Sequence, residues 1–189
     1  MIKKLTIPVD HGNRNMKTTH FLFTTGLSST DRKPAGREDF LQTDGKFYVL
    51  SDKRIPYQRD KTQDERFSIL TRFAIAKELE RTGQVTEEDV VQVSLPIGVP
   101  PKHYAELAER YREYFLGDGK VQDLVYNGRT YHTCIRDVAV YPQAYAAMMT
   151  EGEKIRQVPK AVGIDIGGFT SDFLLMRSGS PCLDYCDSM

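Results

Sequence analysis

The sequence contains no tryptophan, three cysteines and four histidines among its 189 residues. A small, odd number of cysteines does not make a disulfide framework and fits a reducing compartment. We therefore interpret Cys134, Cys182 and Cys186 as structural thiols. The histidines are scattered, and no set of them with cysteines has the spacing of a zinc site.

Long hydrophobic runs and an excess of charge of either sign are also missing. Lys+Arg and Asp+Glu number 26 each, which gives no electrostatic basis for direct binding of nucleic acid or membrane. No apolar run approaches membrane-spanning length, and the basic start at Met1–Lys4 is not followed by the apolar segment of a signal peptide. We therefore expect a cytoplasmic protein. Its length fits one large domain, or one domain and part of another.

A glycine-containing stretch near the end of the chain carries the clearest chemical pattern. An apolar run ends at Asp165, Gly167 and Gly168 form a turn, and a second apolar run leaves with Asp172 near its start. Two short apolar runs around glycines predict buried strands joined by a tight hairpin. Glycines reach positive φ without penalty and let backbone N–H groups approach an anion such as phosphate. An ordinary hairpin with no ligand explains the two glycines equally well.

The N-terminal region repeats this pattern. An apolar run ends at Asp10, Gly12 lies in a turn with two asparagines, and Thr18–Phe23 leads away as a second strand. Two such hairpins far apart in one chain predict a phosphate group held between two facing turns. A carboxylate at the end of each strand is the kind of oxygen ligand that Mg²⁺ prefers, usually through water.

Together the two hairpins resemble the phosphate motifs of the actin-like ATPase superfamily. The stretch Asp165-Ile-Gly-Gly-Phe-Thr-Ser-Asp172 is similar to the family pattern Asp-x-Gly-Gly-x-Thr-x-Asp. The opening from Val9 to Lys17 looks most like the plasmid-segregation actins of the ParM/StbA type. The resemblance spans essentially the whole chain. It implies an actin-like (ribonuclease H-like) α/β fold with a mixed sheet flanked by helices, followed by the first hairpin of a second domain.

The resemblance also implies a set of site residues. Asp10 and Asp165 would hold Mg²⁺ through water, and Gln143 would position the water that attacks the γ-phosphate of ATP. A polar residue at the start of a helix with no catalytic role explains Gln143 as well. The remaining residues of the implied nucleotide site are Gly12, Asn13, Arg14, Asn15, Lys17, Gly167, Gly168, Phe169 and Thr170. Arg14 and Lys17 are also compatible with plain surface positions.

Periodicity and turn residues predict the elements of the first domain. Strands are expected at Leu5–Val9, Thr18–Thr24, Lys46–Leu50, Val90–Leu95 and Thr130–Val140, and helices near 66–81, 102–116 and 142–152. Asp44-Gly45 and Asn127-Gly128 predict two-residue hairpin turns. Residues 25–37 are expected to form a loop, and the polar stretch Ser51–Arg66 a solvated loop. In the actin family the edge corresponding to 51–66 closes over the nucleotide.

We predict an N-terminal actin-like domain at residues 1–158 and the beginning of a second domain at 159–189, with the hairpin 161–177 apart from the first sheet. The function implied is a nucleotide-dependent filament-forming ATPase of plasmid or mobile-element segregation, with itself and a DNA-binding adaptor protein as partners. A small-molecule kinase of the superfamily and a non-catalytic interaction module are the alternatives. Residues 1–189 alone are expected to bind ATP weakly, to show no meaningful turnover, and to self-associate through an exposed strand at Phe173–Met176.

Overall fold

The computed structural model of the chain describes residues 1–36 and 39–189. It contains a seven-stranded mixed sheet with flanking helices, a four-stranded sheet and a three-stranded sheet, which confirms the predicted fold class. The strands are β1 (Ile2–Thr6), β2 (Asp10–His11), β3 (Asn15–Lys17), β4 (Leu22–Thr24), β5 (Leu27–Thr30), β6 (Phe40–Thr43), β7 (Lys46–Leu50), β8 (Val90–Val99), β9 (Gln122–Tyr126), β10 (Arg129–Pro142), β11 (Lys160–Ile166), β12 (Ser171–Arg177), β13 (Ser180–Pro181) and β14 (Asp187–Ser188). The helices are α1 (Arg66–Thr82), α2 (Tyr104–Leu116), α3 (Tyr145–Thr150) and α4 (Gly152–Gln157), with 3₁₀ turns at Pro101–His103 and Leu183–Tyr185. Within the described ranges, no helix combines the length and the apolar composition needed to span a membrane.

The main sheet has the strand order β1-β8-β10-β9-β6-β7-β5. β8 pairs in parallel with both β1 and β10, whereas the remaining neighbours are antiparallel. Every second residue of β8 from Val91 to Val99 is buried, as expected for a strand that packs one face on the core. Helices α1 and α2 contribute Phe67, Leu70 and Phe73, and Leu107, Tyr111 and Phe115, to the same core.

Three of the five predicted strands have different bounds because backbone pairing extends them, and one of these is β10, which runs over Arg129–Pro142 instead of Thr130–Val140. β1 begins at Ile2 rather than Leu5, and beyond Thr6 the chain still bonds to β8 through Ile7 and Val9. β8 continues four residues past the predicted end at Leu95. Pro96 does not stop it, because the carbonyl of Pro96 accepts the N–H of Val9 at 3.0 Å and only one donor is lost.

The predicted strand Thr18–Thr24 is correct only in its last three residues, which form β4 (Leu22–Thr24). Residues 18–21 form a tight turn, in which the Thr18 N–H donates to the Phe21 carbonyl at 2.9 Å. The return strand of the first hairpin is instead β3, and β2, β3 and β4 form the separate three-stranded sheet. The loop predicted at 25–37 is also partly wrong, because Leu27–Thr30 forms the edge strand β5; Arg37 lies outside the described residues.

The two short hairpin turns are confirmed. Asp44 and Gly45 have φ of 51° and 76°, and Asn127 and Gly128 have φ of 52° and 86°. Positive φ at both central residues is the type I′ geometry, which matches the twist of the flanking strands. Helix α1 is confirmed as well, and it ends at Gly83 with φ of 61°.

The helix predicted near 142–152 is wrong at both ends. Pro142 is the last residue of β10, paired with Val99, and does not open a helix. Ala144 has φ of 66°, so that α3 begins only at Tyr145. A second helix, α4, then occupies part of the segment beyond the predicted end.

The hairpin of β11 and β12 lies outside the main sheet, as predicted, and forms the four-stranded sheet with β13 and β14. Its buried residues Leu174 and Met176 pack on Met148 of α3 and Ile155 of α4. The predicted exposed strand at Phe173–Met176 is therefore wrong. The exposed apolar residues lie on the edge strand β11 instead: Val162, Ile164 and Ile166 are 60%, 58% and 80% exposed.

Candidate functional site

The two glycine-containing hairpins face one cavity of about 420 Å³. Asp10 to Lys17 line it from one side and Asp165 to Thr170 from the other, while Gln143 lies between them. Every site residue named from the sequence contributes to its wall: Asp10, Gly12, Asn13, Arg14, Asn15, Lys17, Gln143, Asp165, Gly167, Gly168, Phe169 and Thr170. The sheet topology thus brings together residues that are up to 160 positions apart in the chain.

The body of the protein holds the first hairpin turn by its carbonyl groups. The Lys61 ammonium donates to the His11 carbonyl, the Thr25 hydroxyl donates to the Gly12 carbonyl at 2.6 Å, and the Thr25 N–H donates to the Arg14 carbonyl at 3.1 Å. Among the described residues, no acceptor is bonded to the N–H groups of Gly12, Asn13 or Arg14. Backbone donors left free at a turn form an anion-binding surface.

The second hairpin turn is closed by one backbone hydrogen bond, from the Gly167 N–H to the Thr170 carbonyl at 2.8 Å. In the part of the chain that the structure covers, the N–H groups of Gly168, Phe169 and Thr170 again have no protein acceptor. The residues of both turns that carry these N–H groups therefore line the same cavity.

The glycines of both turns are needed because a side chain would not fit, and not because the backbone has positive φ. Positive φ was the role predicted for them from the sequence. Neither Gly12, Gly167 nor Gly168 has positive φ. A Cβ on Gly12 would lie 2.4 Å from the Asn15 carbonyl oxygen, and a Cβ on Gly168 would lie 2.5 Å from Cδ of Arg14. A larger residue at position 12 would therefore distort the first turn, and one at position 168 would displace Arg14 of the facing turn.

The carboxylates of the cavity lie close to each other and to one lysine. Asp165 and Asp172 are directly opposite on β11 and β12. Burial, and then the Asp165 charge, raise the pKa of Asp172, although a hydrogen bond from Ser188 opposes the shift. Asp10 instead forms an ion pair with Lys17 at 3.0 Å, and this contact raises the pKa of Lys17. Like charges facing each other across a strand pair favour a cation between them.

The carboxylates fit Mg²⁺ bound through water better than Mg²⁺ bound directly. Among the described residues, no three His, Cys, Asp or Glu side chains are grouped closely enough to hold a metal ion. Asp10 and Asp165 nevertheless line the same cavity as the free N–H groups. Mg²⁺ commonly keeps several water ligands and takes one or two carboxylates in addition to phosphate oxygens.

Gln143 lies at the junction of β10 and α3. Its N–H donates to the Val99 carbonyl at 2.8 Å, which fixes the backbone to the end of β8. A Cβ on Gly98 would lie 3.1 Å from Cγ of Gln143, so the glycine leaves room for the amide side chain. A neutral amide in this position can orient a water molecule without acting as a strong base.

The segment Ser51–Arg66 supplies the residues that the sequence did not identify. Predicted as a solvated loop, it carries Tyr57, Arg59 and Lys61 into the cavity wall. Tyr57 meets Phe169 of the second hairpin with ring centroids 6.1 Å apart. The sequence does show aromatic and basic residues alternating among the acidic ones in this segment. Composition alone, however, does not show which of these side chains turn inward.

Several carboxylates and tyrosines fix this segment. Burial tends to raise the pKa of Asp60, but hydrogen bonds from Thr62, Arg110 and Gln63 lower it to about 2. The Lys61 N–H donates to the Tyr111 hydroxyl at 3.0 Å, and that hydroxyl donates to the Arg59 carbonyl. The segment therefore lies on α2 as an ordered wall of the cavity.

Known proteins were compared with the chain by sequence and by structure. Residues 8–145 match the family described as actin like proteins, N-terminal domain. No curated protein sequence matches the chain. The fold resembles that of the apo psk41 ParM protein, with a TM-score of 0.76 and 13% identity over 99% of this chain and 66% of that one.

Two further structures contain a nucleotide. The AlfA filament bound to AMPPNP has a TM-score of 0.72 and 15% identity, over 98% of this chain and 70% of AlfA. An archaeal actin homolog in complex with ADP has a TM-score of 0.73 and 18% identity, over 98% of this chain and 60% of that protein. The chain thus spans about two thirds of the length of these relatives or less. The matched family covers most of the sequence, and the chain belongs to the actin-like proteins.

Proposed function

We propose that the cavity binds the phosphate groups of ATP with Mg²⁺, in an actin-like ATPase that forms nucleotide-dependent filaments. Plasmid or mobile-element segregation is the proposed role, with a DNA-binding adaptor protein as partner and the cytoplasm as location. Residues 1–158 form the N-terminal domain in this proposal, and residues 159–189 open a second one. The observation that carries it is the pair of facing turns, in each of which three N–H groups have no acceptor among the described residues.

The relatives support the nucleotide and the filament. AlfA is described as a filament bound to AMPPNP, and the archaeal homolog as a complex with ADP. Both share the fold that brings the two hairpins together here. Assembly of this chain with copies of itself follows from the same analogy.

Each group of the cavity has a defined part in the proposed reaction. The N–H groups of Gly12–Arg14 and Gly168–Thr170 donate to phosphate oxygens, whose charge grows during transfer. Asp10 and Asp165 would hold Mg²⁺ through water, and the bound ion would supply positive charge that neutralises the phosphates. Gln143 orients the attacking water in line with the bond that breaks.

The phosphate end of the site can be tested on this chain. We expect Mg²⁺·tripolyphosphate and Mg²⁺·ATP to shift the ¹⁵N amide signals of residues 12–14 and 168–170, with similar dissociation constants on the order of 0.1–1 mM. Asp165→Ala should weaken both ligands by roughly tenfold or more, because it removes a metal-binding carboxylate. Asp31→Ala, which changes an exposed carboxylate in a distant loop, is the matched control. Amide signals that stay unchanged at millimolar ligand, or equal affinities in the two variants, would exclude the proposed site.

A further inference from the structure

Lys61 is a buried cation in the wall of the cavity. Lys61 is only 3% exposed, although lysine is almost never buried without a partner. The Tyr111 hydroxyl fixes the backbone of Lys61, and the ammonium group lies 5.5 Å from the centre of the Phe67 ring. The side chain is thus directed inward by packing and not by a surface ion pair.

Among the residues that the structure describes, no carboxylate lies within ion-pair distance of the Lys61 ammonium group. Within the described residues, its one hydrogen-bond acceptor is the His11 carbonyl, and none of the ion pairs includes it. Lys77, whose side chain is 13% exposed, is instead paired with Asp39 at 2.8 Å. Burying a charge without a counter-charge is costly. The stability of the fold alone therefore does not explain a lysine at position 61.

The surroundings of Lys61 keep it charged near neutral pH. Burial lowers its pKa to about 8, while Asp10 and Asp172 oppose that shift from the two hairpins. His11 remains neutral beside it, because burial and the Lys61 charge both lower the pKa of His11. The result is a positive charge in the wall of the cavity that both turns line.

We propose that Lys61 binds the terminal phosphoryl group of the anion in this cavity and that this group is its missing counter-charge. The proton positions of the ammonium suit this role, since one N–H donates to the His11 carbonyl of the first turn and two remain for phosphate oxygens. A terminal phosphoryl group carries more negative charge than an inner one, so it gains most from a desolvated ammonium. That the ligand is a nucleotide rests on the function proposed above, whereas the binding of a polyphosphate end does not.

Three variants test the proposal by calorimetric titration with Mg²⁺·tripolyphosphate. Lys61→Met removes the charge with a similar volume, Lys61→Gln keeps an N–H donor without the charge, and Lys77→Met controls for loss of a half-buried, ion-paired lysine outside the cavity wall. We expect both Lys61 variants to lose roughly tenfold or more in affinity for tripolyphosphate, because its terminal phosphoryl group loses a charged donor. Lys77→Met should bind as the wild type does.

Urea unfolding of the same variants separates binding from structure. Lys61→Met should keep or raise the unfolding midpoint, since an apolar residue replaces an unpaired buried charge. Wild-type affinity for tripolyphosphate in either Lys61 variant overturns the proposal, and so does a fall in midpoint that accompanies the loss of binding in both. If tripolyphosphate binds through Lys61 but ATP does not bind, the inference stands and the nucleotide function fails. If ATP binds and the Lys61 variants bind it normally, the function stands and the inference fails.

Discussion

Replacing Lys61 by methionine should change how the stability of the protein depends on pH. Burial lowers the pKa of this lysine from 10.5 to about 8 in the folded protein. Since one pKa unit corresponds to about 1.4 kcal/mol, the charged lysine costs the folded state about 3 kcal/mol below pH 8. Loss of the hydrogen bond to the His11 carbonyl offsets about 1 kcal/mol of the gain in the variant.

The sign of the pH dependence follows from proton binding. Between the folded pKa of about 8 and the unfolded value of 10.5, the unfolded chain binds more protons than the folded one. The free energy of unfolding of the wild type therefore rises with pH across this window, and the cost is fully present below it. At pH 7 we expect Lys61→Met to be more stable than the wild type by about 2 kcal/mol, and this difference should shrink by about 2 kcal/mol by pH 9.5.

Urea denaturation followed by circular dichroism at pH 7, 8, 9 and 9.5 measures the difference directly. Burial raises the pKa of Tyr111 and of Tyr114 to about 12, so both proteins lose stability above pH 10. Comparing the two proteins at each pH removes that common effect. Parallel curves for wild type and variant over the whole range would refute a charged, desolvated Lys61.

Three other substitutions test separate features. Under the proposed ATPase function, Gln143→Ala should reduce the single-turnover rate constant with little loss of affinity, because the amide would act on the transition state; lost affinity with a normal rate would contradict this role. Gly163→Val should destabilise the protein by about 1–3 kcal/mol in urea, because even a Cβ there would lie 2.5 Å from Sδ of Met148; an unchanged midpoint would show that α3 moves freely on β11. Ile164→Thr should reduce concentration-dependent light scattering without lowering the unfolding midpoint, since Ile164 is 58% exposed on the edge strand β11. Equal scattering would exclude the exposed apolar residues of β11 as a self-association surface.

Local turn chemistry determined the parts of the fold that the sequence predicted correctly. Asp44-Gly45 and Asn127-Gly128 specify their turns by backbone preference alone, and Gly83 ends α1 for the same reason. Pro142 shows where this reasoning fails. Proline suits both the first turn of a helix and the end of a strand, and only pairing with Val99 of β8 decides for the strand.

The residues of the candidate site also differ in whether the neighbouring sequence predicts their positions. Asp10 and Asp165 follow apolar runs and precede glycine turns, so their positions could be read from neighbouring residues. Lys61 lies in the most polar part of the chain, and its burial depends on α2 and the first hairpin, which are distant in sequence. No periodicity within residues 51–66 carries that information.

Strand β8 fixes the positions of two residues of the proposed site. Val9 is bridged to Ile97 and Pro142 is paired with Val99. Asp10 and Gln143 therefore each follow a residue that pairs with β8. One residue of β10, Arg136, has no partner in this register, because Ile135 opposes Val93 and Asp137 opposes Ser94. Deleting Arg136 would shift the end of β10 by about 3.3 Å and turn the side chain of Gln143 to the other face of the sheet. The face of the sheet on which the Gln143 amide lies, relative to the Asp10 carboxylate, therefore depends on a bulge seven residues earlier in the chain.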